Sequence, residues 1–562
     1  MTPRLGLRSC AAALTVWGVA LAMASWSAGP QASARAAQDV GTDAQREAGK
    51  QLYLKLCSQC HGDNGDGEGY AAPHLLPKPR NFTSGKYKIR STPTGALPTH
   101  QDLVNVIRRG MPYTSMPAWP ALTDQEVANL AYFITTFSPD FAQPDKAPKA
   151  LDLPSAPGVT KESVELGKKL YEETGCVKCH GTAGRGDGPS APTLTDDWGH
   201  RIRPADLTQS WTFRGGGTRE DIFRTMSTGF NGTPMPGFAD ALQPEQRWAI
   251  VDFIDALSGG GNPAYTNLVV AKYVEDPIDL AKGTASFSAA PAARFPVVGQ
   301  IMEPGRSFHP PATSVLVQAI YDAESIALLV RWHDMSADKT AKNGPSLAVP
   351  VAEEEATPDA APAPAAAGQP ADPFAEQAAP AAPVAEFSDA VAIQLPAVVP
   401  ASARKPYFLF GDGQNPVDLW FFDLAQAAPS QFTGKGSADI AANDTGDVTG
   451  VATYDNGEWS VIFKRPRRAS SGVAFAPGQF LPMAFSLWDG LSRERGNRRG
   501  LTIWQSLYMQ PEVVPSATGP MLKTALIILV IELAVIGWVR SRYGSRSRTK
   551  LDGPGQPAVT GV

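Results

Sequence analysis

The spacing of apolar residues changes character several times along the chain. Arg4 and Arg8 precede an apolar run from Ala11 to about Ala24, and small residues follow with A-x-A sites at Ala32–Ala34 and Ala34–Ala36. That order is the order of a secretory signal peptide, read here over residues 1–36. Over 44–142, and again over 160–260, apolar positions recur at helical spacing. "REAGKQLYLKL" (46–56) and "VELGKKLYEET" (164–174) open the two stretches, each with a glycine and a tyrosine at the same offset. "VANLAYFITTF" (127–137) and "RWAIVDFIDALS" (247–258) close them. Each closing helix is expected to pack on the opening helix of its own copy, through Tyr132/Phe133 and Trp248/Phe253.

From about Tyr265 the period drops to two. "SVLVQAIYDAESIALLVRWHD", "DAVAIQLPAVV", "GEWSVIFKRP" and "LTIWQSLYMQP" are rich in β-branched and aromatic residues and are separated by Asp/Gly turns. This predicts an antiparallel β-sandwich over 265–515. Inside it, residues 348–386 are dominated by Ala, Pro and charge; such a tract builds no packed core and is expected as a disordered insertion. The last pattern is the apolar run "MLKTALIILVIELAVIGWV", predicted as a transmembrane helix over 521–540. The expected fold is therefore multidomain: two all-α domains, an all-β sandwich and one C-terminal span.

Charge orients this arrangement. Arg540, Arg542, Arg546, Arg548 and Lys550 crowd the tail after the span, which places 541–562 in the cytoplasm and the N-terminal bulk in the periplasm. Glu532 within the span is expected to pair with a partner subunit's helix. The formal charge of −5 falls to about −12 once the signal and tail are set aside. An acidic exported portion favours encounter with a basic protein, and no nucleic-acid partner is expected.

Once the signal is removed four cysteines remain, Cys57, Cys60, Cys176 and Cys179, all in "CSQCH" and "CVKCH". C-x-x-C-H is the attachment signature of c-type haem. The thiols add across the vinyl groups, and His61 or His180 ligates the iron. A zinc site, a redox dithiol and a disulfide are the competing readings, and a disulfide would leave the histidine after each second cysteine unexplained. The repeat also indicates a sixth ligand: Met116 lies 59 positions after Cys57, and Met235 lies 59 after Cys176. Met111 and Met226 have no counterpart at their offsets. His/Met ligation raises the reduction potential and leaves no open iron position, which points to electron carriage.

The two helical stretches resemble class I cytochrome c domains, which implies His61/Met116 and His180/Met235 as axial pairs on two covalent haems. The last module resembles the haem-binding γ subunit of the ethylbenzene-dehydrogenase type, found with molybdenum enzymes related to dimethyl sulfoxide reductase. The motifs that carry this are "IYDAESIALLVRWHDMSADKT", "FSDAVAIQLP", "YFLFGDGQNPVDLWFF", "NGEWSVIFKRP", "AFSLWDG" and "ERGNRRGLTIW". The resemblance implies a b-type haem held by a Met and a Lys, but those positions here carry Phe410 and Arg499, neither of which can ligate iron. Either the b haem is lost, or residues such as His333, Met335 or Met483 have taken over.

The expectation is a non-catalytic electron-transfer subunit. It would link molybdopterin and iron–sulfur subunits, of nitrite oxidoreductase or nitrate reductase type, to a soluble cytochrome c. Alternatives are the cytochrome subunit of another membrane dehydrogenase or terminal oxidase, or a haem-linked ligand-binding sensor.

Overall fold

The computed structural model describes residues 39–259, 261, 263–350, 385–400, 404–443, 445–513 and 516–543. The signal at 1–36, most of the 348–386 insertion and nearly all of the 541–562 tail lie outside them.

The first helical domain contains α1 (Asp43–Leu56), the short α2 (Ser58–His61), α3 (His100–Arg109) and α4 (Asp124–Thr135). The second repeats the series as α5 (Lys161–Glu173), α6 (Val177–His180), α7 (Arg219–Thr228) and α8 (Pro244–Ser258). Threonines 42, 99, 123, 160 and 218 start five of these helices by accepting a backbone N–H from the third helical residue. Each such cap contributes about 1 kcal/mol. The opening and closing helices cross at glycines. A β-carbon on Gly49 would stand 2.0 Å from the Asn129 carbonyl oxygen, and one on Gly167 would stand 1.9 Å from that of Ala249. Only a residue without a side chain permits that approach.

Phe133 and Phe253 make the expected contacts, each ring lying 5.3 Å from Tyr53 or Tyr171. The other member of each pair looks elsewhere. Tyr132 stacks on His100 of α3, and Trp248 stacks on Phe223 of α7 at 4.1 Å. At about 100° per residue, the one-residue step from Tyr132 to Phe133 and the five-residue step from Trp248 to Phe253 each turn the side chain by more than a quarter turn, so each pair serves two interfaces.

The third module is built from β1 (Leu268–Tyr273), β2 (Ala293–Pro296), β3 (Val298–Gly299), β4 (Ser314–Tyr321), β5 (Ser325–His333), β6 (Ala390–Pro396) and β7 (Val417–Asp423). It continues through β8 (Ser430–Gly434), β9 (Ile440–Ala442), β10 (Thr449–Asp455), β11 (Glu458–Pro466), β12 (Phe480–Trp488), β13 (Gly500–Leu501) and β14 (Gln505–Met509). The strand order is β10-β11-β5-β4-β1-β14-β12-β6-β7-β8-β9. β12 belongs to both halves: Phe480–Met483 pair with β14, and Ala484–Trp488 pair with β6. The two halves face each other across Trp420, Phe422 and Phe463, with ring separations of 6.4 and 6.0 Å to Phe463.

One strand departs from the antiparallel expectation. β1 pairs in parallel with both β4 and β14. It arrives from the second helical domain, so no hairpin fixes its direction. The alternation in β5 is also fuller than half-burial predicts. Ile326, Leu328 and Val330 enter the central core, while Ala327 and Leu329 pack on the other face beneath Ile278 and Phe287. The helix Thr518–Tyr543 is long and apolar enough to cross a membrane and buries none of its residues against the rest of the chain.

Candidate functional site

The two C-x-x-C-H motifs occupy the same position in both helical domains. Each begins at the C-terminus of the opening helix, which places Cys57, Cys60, Cys176 and Cys179 half-buried with free thiols. The preceding tyrosine supports the turn from inside. Tyr53 Oη donates to the Gly62 carbonyl at 2.7 Å, and Tyr171 Oη donates to that of Gly181 at 2.6 Å.

The imidazoles are held identically. His61 Nδ1 lies 3.0 Å from the Arg80 carbonyl oxygen, and His180 Nδ1 lies 3.0 Å from that of Ala205. A carbonyl can only accept, so Nδ1 carries the proton and the Nε2 lone pair is free for a metal. Burial lowers the pKa of both histidines, partly opposed by that same hydrogen bond, which keeps the ligating neutral form dominant. Phe82 stacks on His61 at 4.5 Å and fixes its plane. Burial and the neighbouring Cys60 push the Cys57 thiol up to about 11, so it stays protonated at neutral pH in its apolar surroundings.

Met116 and Met235 sit in matching loops. The Met116 carbonyl accepts from Met111 N at 3.1 Å and its N–H donates to Thr114 Oγ1 at 3.2 Å. The Met235 carbonyl accepts from Phe230 N at 3.1 Å and its N–H donates to Thr233 Oγ1 at 3.3 Å. Phe230 thus occupies the position of Met111, which explains why that methionine has no partner in the repeat. Each loop begins at a glycine with positive φ, Gly110 or Gly229, whose β-carbon would collide with the carbonyl of the methionine. In the second domain Cys176, Cys179, His180 and Met235 line one cavity of about 1300 Å³. That exceeds the roughly 300–1,000 Å³ of ordinary ligand pockets. With Leu194, Ile202, Phe213 and Ile250 also on its wall, the donors and the space fit a covalently attached haem.

Among the described residues of the sandwich, the positions expected to ligate a b-type haem are not brought together. Phe410 and Arg499 are both wholly buried and in direct contact. The other candidates are dispersed: Met483 is fully buried in the central core, Met335 packs with Ala191 and Leu491, and His333 Nε2 bonds the Arg185 carbonyl. These residues do not fit a b-type haem.

The signals the sequence lacked are backbone ones. The acceptors for His61 and His180 are carbonyls, which any residue supplies.

Comparison with known proteins agrees with this layout. Residues 46–138 and 164–258 match the cytochrome c family, and residues 428–500 match the ethylbenzene dehydrogenase family. A protein from Haloferax mediterranei, named as a respiratory nitrate reductase heme subunit, is 28% identical over 154 residues. The match covers 27% of this chain and 52% of that relative, so the chain spans about half the length of the curated protein it matches. A chain of the reducing HAO-like protein complex of Kuenenia stuttgartiensis is 42% identical over 38% of this chain and 96% of its own, with a TM-score of 0.37. A family 9 carbohydrate-binding module from Caldicellulosiruptor kristjanssonii covers 44% of this chain and 100% of its own at 10% identity and a TM-score of 0.22.

Proposed function

Taking two cytochrome c domains and an ethylbenzene-dehydrogenase-type segment as the premise, we propose that this chain is a membrane-anchored, diheme electron-transfer subunit. Cys57 and Cys60 would hold one haem and Cys176 and Cys179 the other. His61 with Met116 and His180 with Met235 would ligate the two irons. When bound, each haem supplies a site that takes up and releases one electron. The chain's own residues fix the imidazole tautomer and would supply a histidine and a methionine to each iron, so the centres would carry electrons and do no substrate chemistry.

The observation that carries this reading is the identical histidine geometry in both repeats, Nδ1 to carbonyl at 3.0 Å with Nε2 free. The proposed setting is the periplasmic face of the cytoplasmic membrane, with Thr518–Tyr543 as anchor and the basic tail inside. We assign the sandwich as the dock for molybdopterin and iron–sulfur subunits of nitrite-oxidising or nitrate-reducing type, and a soluble cytochrome c as the outer partner. The similarity to a protein named as a nitrate reductase heme subunit supports that choice.

The test is purification of the full-length chain with its natural partners. Two covalent haems per chain and co-purifying molybdopterin are the expected result. Fewer than two covalent haems would contradict the diheme assignment, and absence of molybdopterin would contradict the assigned partner.

A further inference from the structure

The two cytochrome domains are joined by residues 80–96 of the first. Lys86 pairs with Asp197, the Arg80 guanidinium lies 4.4 Å from the Trp198 ring centroid, and Arg90 donates to the Gly229 carbonyl at 3.1 Å and to that of Thr228. Asn231 of the second domain bonds Gly95 N and the Ala96 carbonyl. Between these pins stand Lys88 and Ile89, and both line the cavity that contains Cys176, Cys179 and His180. Ile89 Cδ1 lies 3.8 Å from where a β-carbon on Gly215 would be. The preceding residue, Arg214, lines the same cavity.

Most cations on this wall already have partners. Arg203 bonds Asp489 and Ser492, Arg201 bonds the Leu491 and Pro192 carbonyls, and Lys78 bonds those of Ala72 and Pro73. Arg306 and Arg498 are also engaged, and Lys178 is exposed to solvent. Lys88 and Arg214 differ: among the described residues neither side chain has a hydrogen bond or an ion pair. Burial, with the Arg80 and Arg214 guanidiniums beside it, pulls the Lys88 ammonium down to about 7, and burial lowers Arg214 as well. Two half-buried like charges with no counter-ion oppose folding unless an anion joins them.

A c-type haem brings such an anion. Its vinyl groups are consumed by the thiols, while its two propionate carboxylates stay free. We propose that Lys88 and Arg214 form a clamp for the propionates of the haem on Cys176 and Cys179, so that the first domain completes the second domain's haem site. This rests on the haem reading above. Both are positioning residues, because a cation beside the haem edge favours the reduced iron electrostatically.

The test uses the full-length chain carrying Lys88→Met, Arg214→Met or Lys88→Arg. Covalent haem content is measured first; wild-type protein without covalent haem would fail the haem reading itself. With haem present, redox titration should show the same one of two steps falling in Lys88→Met and Arg214→Met, and staying near its wild-type position in Lys88→Arg. The clamp is overturned if neither step moves, if each Met variant moves a different step, or if Lys88→Arg shifts as far as Lys88→Met. A wild-type potential that follows added phosphate at constant ionic strength would likewise overturn it, by assigning the site to a solution anion.

Discussion

The guanidinium carbon of Arg499 lies 3.8 Å from the centroid of the Phe410 ring, and neither side chain is exposed. These are the two positions where the resemblance to the ethylbenzene-dehydrogenase γ subunit expects a methionine and a lysine on opposite sides of a b-type haem. Here they touch. Arg499 also lies 5.8 Å from the Trp488 ring and donates to the Gly496 carbonyl and Asn497 Oδ1 at 2.9 Å each. A cation–π contact occupies the space a macrocycle would need.

The first prediction follows from that contact. Pyridine-haem spectroscopy on purified protein should give only the c-type signal, with two haems per chain. A b-type signal would show that the sandwich binds haem through residues other than this pair.

The helix crossings give a second prediction. Gly167→Ala drives a methyl group against the Ala249 carbonyl, and Gly49→Ala does the same at Asn129. Overpacking of this kind costs about 1–3 kcal/mol. Thermal melting should show each variant destabilised within its own domain, with haem attachment reduced. An unchanged melting temperature in both would mean that the helices cross elsewhere.

A third prediction concerns pH. Burial and the nearby Asp489 raise Glu494 from 4.5 to about 8, against hydrogen bonds from Asp489 N and Ser307 Oγ. The folded protein therefore keeps this proton while the unfolded chain releases it. Stability from this group is fully present below about 4.5 and is lost as pH rises toward about 8. The slope is about 1.4 kcal/mol per pH unit inside that window. Burial and neighbouring carboxylates raise Asp334, Asp389 and Asp338 too, so they act in the same direction. Melting curves should show the sandwich more stable at pH 6 than at pH 8, with the difference reduced in Glu494→Gln. Greater stability at pH 8 in the wild type would contradict this.

The parts of the site that were legible in the sequence are those written in residue type at short or repeated spacing. Cys57, Cys60 and His61 fall within one turn of each other, and a second copy with Met235 in the register of Met116 is what singles out those two methionines as the proposed far ligands. Glycine and tyrosine at equal offsets marked the two opening helices as copies, but the close crossing at Gly49 and Gly167 and the Tyr–carbonyl bonds emerge only in the structure. The acceptors for His61 and His180 were not legible, because Arg80 and Ala205 act through their backbones. Nor was the join between domains. Lys86–Asp197 and Arg90–Gly229 link residues more than 100 positions apart that carry no motif. The parallel entry of β1 was hidden for a related reason: strand period reveals which face is buried, not the direction of the neighbour.

The most direct measurement is the near-infrared sulfur-to-iron absorption band of the oxidised full-length protein. Met116→Ala and Met235→Ala should each remove one haem's share of that band, and the double variant should abolish it while both covalent haems remain attached. A band of full intensity in the double variant would contradict axial ligation by Met116 and Met235, and with it the account of this chain as a two-centre electron carrier.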